Sequence, residues 1–99
     1  MTPATKQPCV YILASRPNGT LYVGVTSQLT AWVWQHRNDV VEGFTRKYGV
    51  HTLVWYERHE TMEGAILREK QLKAGSRKRK TDLIERMNPR WQDLYEQIL

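Results

Sequence analysis

One cysteine, Cys9, is the entire thiol content of this chain of 99 residues. A lone thiol cannot close an internal disulfide or furnish a cysteine-rich zinc site, and a reducing cytoplasm is the compartment expected. No apolar run approaches the ~20 residues that a membrane-spanning helix needs. Internal repeats, low-complexity tracts and a domain linker are also missing. Residues 1–8 are polar and proline-containing and read as a flexible N-terminal arm, not as a signal peptide. Residues 9–99 suit a single domain with one small core.

Acid is scarce in one place. Between residues 65 and 80 a single carboxylate, Glu69, stands among seven cations: Arg68, Lys70, Lys73, Arg77, Lys78, Arg79 and Lys80. The remainder of the chain holds eight basic and nine acidic residues. The basic character is therefore local. A clustered positive stretch is the footprint of a polyanion partner, with a solvated lysine-rich helix end as the plain alternative.

Residues 9 to 15, CVYILAS, are rich in β-formers, and TLYVGVT (20 to 26) returns after Arg16-Pro17-Asn18-Gly19. A two-residue Asn18-Gly19 turn would set Tyr22 opposite Ser15. It would place Tyr11, Leu13, Tyr22 and Gly24 on one face, and Val10, Ile12, Val23 and Val25 on the core face. In that register Tyr11 and Tyr22 stand roughly 10 Å or more apart, and a longer turn would bring them closer. Ser27 is expected to cap a helix over 28–38, with Leu29, Trp32, Val33 and His36 on one side. Gly43 to Gly49 reads as a loop and VHTLVWYE (50–57) as a third strand. Thr61 caps a helix over 62–73, Ala74-Gly75-Ser76 breaks it, and another helix runs over 77–87. Asn88-Pro89 is expected to start a short last helix. The order ββαβααα fits an α/β (α+β) domain, a three-stranded antiparallel sheet with flanking helices.

Glu69 is the most informative residue. Met62, Ala65, Ile66, Glu69 and Leu72 follow the spacing of a buried helix stripe, and a carboxylate stands in its middle. Such a group needs a cation, a set of hydrogen bonds or a metal. A partly exposed Glu69 paired with Lys73 or Lys70 is the alternative. Tyr11 and Tyr22 on strands are ordinarily packing residues, and His36 on a core-leaning helix face is ordinarily satisfied structure. Gly24 weakens its strand and often marks a close approach of ligand or backbone.

Taken together, these segments resemble the GIY-YIG nuclease superfamily, especially its small stand-alone bacterial (URI-type) branch. Val10-Tyr11 match the end of the first motif, with Cys9 in place of its glycine, and Tyr22-Val23-Gly24 match the second. VWQHR resembles the first helix, EGFTRKYGVHTLVWYE the loop and third strand, and AILREKQLKAGSRKRKTDLIERMNPRW the last helices.

The resemblance implies a DNA endonuclease that hydrolyses phosphodiester bonds with a single Mg²⁺ or Mn²⁺ ion. It implies Tyr22 as general base and Tyr11 as its assistant, His36 near the scissile phosphate, and Glu69 as the metal ligand. Gly24 would let substrate approach. Lys47 or Tyr48, and less directly Asn88, would contact substrate, together with the cations Arg68, Lys73, Arg77, Lys78, Arg79 and Lys80. The expected partner is DNA, including branched or damaged DNA, with specificity from its shape, a partner protein or a dimer.

One position departs from the pattern. Trp32 stands where the family carries an arginine, eight residues after Gly24 and one helical turn before His36. A guanidinium there forks onto phosphate oxygens, which an indole cannot do. A non-catalytic nucleic-acid-binding module is therefore the competing reading, and a purely structural domain the third.

Overall fold

The structure is a computed structural model and describes residues 7–38 and 43–99. Its elements are β1 (Cys9–Ala14), β2 (Leu21–Thr26), α1 (Leu29–Arg37), α2 (Phe44–Lys47), β3 (Thr52–Arg58), α3 (Met62–Ala74), α4 (Arg77–Met87) and a 3-10 turn at Tyr95–Ile98. The strands form one three-stranded antiparallel sheet, as the sequence predicts, and their order in it is β2-β1-β3.

The central strand β1 is buried along its whole length. Its alternate side chains therefore enter two cores. Val10, Ile12 and Ala14 pack with Ala65 and Leu72 of α3, Ile84 of α4 and Trp91. Cys9, Tyr11 and Leu13 pack with Leu29 and Val33 of α1, Val50 and Leu94. Only one core face was expected for the hairpin. Both are covered, because α3 and α4 lie on one side of the sheet and α1 with the C-terminal turn on the other.

The hairpin differs from the expected two-residue turn. Ser15 N–H donates to Thr20 O, Ala14 faces Leu21, and Leu13 faces Tyr22. Four residues, 16 to 19, make the loop, with Asn18 at φ 59°. The change shifts the register by two, so the side-chain faces are kept and Tyr22 moves closer to Tyr11.

Helix ends follow cap chemistry where caps exist. The Thr61 and Ser76 hydroxyls accept from Gly64 N–H and Arg79 N–H at the starts of α3 and α4. Ser27 does not cap α1. The helix begins one residue later, and the Thr26 hydroxyl accepts from Gln28 N–H instead. The expected loop 43–49 contains the single helical turn α2.

No helix starts at Asn88-Pro89. The buried Asn88 amide donates to Val54 O and Gln92 O and accepts from Gln92 N–H. It staples a non-helical segment onto β3. At the other end, Gln7 and Pro8 of the expected arm are bonded through their backbones to Ser27 and His59.

Candidate nuclease site

The site gathers at the outer edge of the sheet, where β2 has no further strand. Tyr11 is only 1% exposed. Its ring lies across β2 at Gly24: a Cβ at residue 24 would come within 2.4 Å of the Tyr11 Cζ and Oη. Space that the sequence suggested for substrate is thus filled by the protein's own phenol. Tyr22 is diagonal to Tyr11, and their ring centroids are 6.3 Å apart.

From the sheet's α1 side, the His36 ring lies 6.4 Å from Tyr11 and 5.8 Å from Tyr22. Trp32, one turn earlier, is 5.5 Å from His36. From α2, Phe44 stands 6.3 Å from Tyr22 and 4.8 Å from Tyr48, whose ring has Lys47 Nζ above it at 5.4 Å. Phe44 and Tyr48 are about half exposed. Sequence reasoning did not single out Phe44 or Thr45 as site residues. Thr45 Oγ1 lies 3.0 Å from His36 Nδ1 and orients the imidazole. No periodic signal in 43–49 points to that bond.

Glu69 comes from α3 on the opposite face. Its side chain is 15% exposed and pairs with Lys73 Nζ at 3.3 Å, one turn on. The stripe expected around it is partial: Ala65 and Leu72 are buried, whereas Met62 and Ile66 remain exposed. Burial pushes the Tyr11 phenol well above the ordinary tyrosine value, and the neighbouring Tyr22 and the Glu69 carboxylate push it further. Glu69 therefore acts through space on the motif tyrosine.

His36 is 4% exposed, and its Nε2 is buried with no hydrogen-bond partner among the described residues. Burial first, then nearby His51, hold the imidazole below its ordinary value of 6.5. The unfolded chain takes up this proton more readily. The stability carried by neutral His36 is thus complete above about pH 6.5 and is lost as pH falls below that. His36→Gln is expected to lose less stability than the parent between about pH 7 and pH 5, read from urea midpoints. Identical losses would contradict it.

The donor chemistry suits a hard divalent ion. Among the described residues no three His, Cys, Asp or Glu side chains come together. One shielded carboxylate, with water and substrate oxygens completing the shell, is an arrangement magnesium accepts. Glu69 would hold the ion, and Lys73, half exposed, can leave it.

The other expected contacts are dispersed. Arg77 donates to Asn18 O and Gly19 O of the hairpin loop at 2.9 and 2.7 Å. Lys78 is paired with Asp82 at 3.1 Å, and Lys80 donates to Gly75 O. Arg68 Nε donates to Glu57 at 3.1 Å on another side of α3. Asn88 is committed to the backbone. Arg37 pairs with Asp93 and lies over the Tyr95 ring. Arg37 and Arg68 are thus each paired with a carboxylate.

Searches of curated proteins and of solved structures return no match. Residues 7–82 match the family model described as the GIY-YIG catalytic domain. That span takes in the whole sheet, both motif tyrosines, His36 and Glu69, and its fold is the three-stranded antiparallel sheet with flanking helices found here. A nuclease domain acts on nucleic acid, and nucleases of this type generally work with a divalent metal. The chain belongs to the GIY-YIG family.

Proposed function

We propose that the chain is a single-metal DNA endonuclease whose turnover is slowed by Trp32. The observation that carries this reading is the convergence at the β2 edge. Two phenol rings with centroids 6.3 Å apart lie within electrostatic reach of a shielded carboxylate, Glu69, which adds to the upward push that burial gives the Tyr11 phenol. A structural domain has no need of that arrangement.

Glu69 would hold a divalent ion, which when bound would supply positive charge beside the phosphate oxygens. Everything else is done by side chains. Tyr11 keeps its proton, because burial opposes the phenolate, and so it serves as a donor to the water or to a phosphate oxygen. Tyr22, less buried than Tyr11, is the group to receive the water's proton. His36 stays neutral at pH 7 and is held by Thr45. Phe44, Lys47 and Tyr48 border the phenols and contact the substrate near the cut. The ion is Mg²⁺ or Mn²⁺, and the substrate DNA carries a branch or lesion.

Trp32 favours a second reading, a module that binds nucleic acid without cutting it. One assay separates the two. Plasmid and branched DNA are incubated with the protein and Mn²⁺, alongside Glu69→Gln and Tyr22→Phe. The nuclease reading expects slow cleavage that drops about 10²-fold or more in each variant. Binding without cleavage, also in a chain carrying Trp32→Arg, would leave only the binding module.

A further inference from the structure

The basic stretch that drew attention in the sequence is largely consumed by the fold. Arg77, Lys78 and Lys80 all have partners, as described above. Arg79 does not: its guanidinium meets neither an acid nor a carbonyl among the described residues, and the same is true of Arg86. These two are seven residues apart on α4, almost two full turns, and so share one face.

Both line a cleft of about 670 Å³ between α3 and α4. Arg68 and Gln71 line it from α3, and Gly75 lies at the bend between the helices. Arg68 gives Nε to Glu57 and keeps further N–H groups. The one acid in the cleft, Asp82, already holds Lys78 through both oxygens, at 3.1 and 3.3 Å. Among the described residues, three guanidinium groups, one of them paired with Glu57, thus line a concave site whose one lining carboxylate is held by Lys78. Like charges held together in this way are relieved by an anion. Planar guanidinium forks match phosphate oxygens in pairs.

We propose that the α3/α4 cleft is a phosphate-binding site separate from the catalytic edge, with Arg79 and Arg86 as its principal donors and Arg68 and Gln71 as supports. Arg68 is next to Glu69 in sequence but about 100° round the helix, so the cleft lies beyond α3 from the metal ligand. A nucleic acid cut at the sheet edge reaches it only by passing over α3, a helix about 10 Å across. The source of the phosphate as nucleic-acid backbone rests on the nuclease reading. The site itself does not.

The test uses the full chain and two probes. In the first, inorganic phosphate is titrated while the Arg Nε–H resonances are followed. In the second, binding to a duplex of about 20 base pairs is measured across salt concentration. Variants are Arg79→Ala with Arg86→Ala, and Lys70→Ala with Arg90→Ala as a control of equal charge, all checked for folding by amide dispersion. Saturable shifts at Arg79 and Arg86 are expected. The salt slope should fall by about two with the cleft variant and by clearly less with the control. Phosphate shifts without any duplex binding would uphold the site with a free phosphate compound as its ligand, and would sink the nuclease reading alone. Duplex binding with no phosphate shift, and equal slopes for cleft variant and control, would overturn the site and leave the nuclease reading standing.

Discussion

Trp32→Arg is expected to raise the DNA cleavage rate about 10²- to 10³-fold, the usual worth of one donor aimed at developing charge. The reason is geometric. Trp32 is partly buried one turn before His36, its ring 5.5 Å from the imidazole, which in turn lies 5.8 Å from Tyr22 and 6.4 Å from Tyr11. An arginine on the same helix position carries its guanidinium to the neighbourhood of a phosphate bound at the β2 edge. Two other arginines are occupied: Arg37 by Asp93 and Tyr95, and Arg68 by Glu57 of β3. The measurement is single-turnover cleavage with Mn²⁺. Adding Tyr22→Phe to the arginine variant should remove the gain, which ties it to this centre. A gain that survives Tyr22→Phe, or no gain in a folded variant, would contradict the role given to position 32.

Gly24→Ala is expected to cost about 1–3 kcal/mol, the cost of forcing an extra methyl into filled space. The new Cβ would sit 2.4 Å from the Tyr11 Cζ and Oη, and the Tyr11 side chain is almost wholly buried. Backbone strain is not the cause, since Gly24 is not among the residues of positive φ. The cost therefore belongs to one neighbour, and a double-mutant cycle isolates it. In a Tyr11→Ala background the same substitution should be close to neutral, or stabilising by a few tenths of a kcal/mol through the unfolded chain. Urea unfolding of the four proteins checks this. Equal costs in both backgrounds would mean that Tyr11 does not lie across Gly24.

Much of this arrangement is legible in the sequence, for identifiable reasons. Strand and helix spans follow from β-formers, the Thr61 and Ser76 caps and the Gly75 break, all of which act locally. A carboxylate inside the α3 stripe is visible in the sequence, but the stripe is only partly buried and Glu69 pairs with Lys73, the alternative the sequence also offers. The hairpin register is not legible, because Asn18-Gly19 fits a two-residue turn and a four-residue loop equally well. That one ambiguity decides whether Tyr11 and Tyr22 meet. The second core face is hidden for a related reason: tyrosines and a cysteine look polar enough to face solvent until α1 covers them. The run 77–80 reads as a free patch because charge is visible in sequence and its partners are not. The hairpin-loop carbonyls that hold Arg77 lie some 60 residues away. Asn88 looks like a helix cap, while its amide is claimed by β3 and Gln92.

Mn²⁺ titration followed by NMR reads the heart of this proposal directly, since a paramagnetic ion broadens signals near it. With wild-type protein, resonances of Glu69, Tyr22 and Gly24 should fade first, and Glu69→Gln should abolish the effect without disturbing the fold. Broadening centred elsewhere, or unchanged in Glu69→Gln, would show that the β2 edge is not a metal centre.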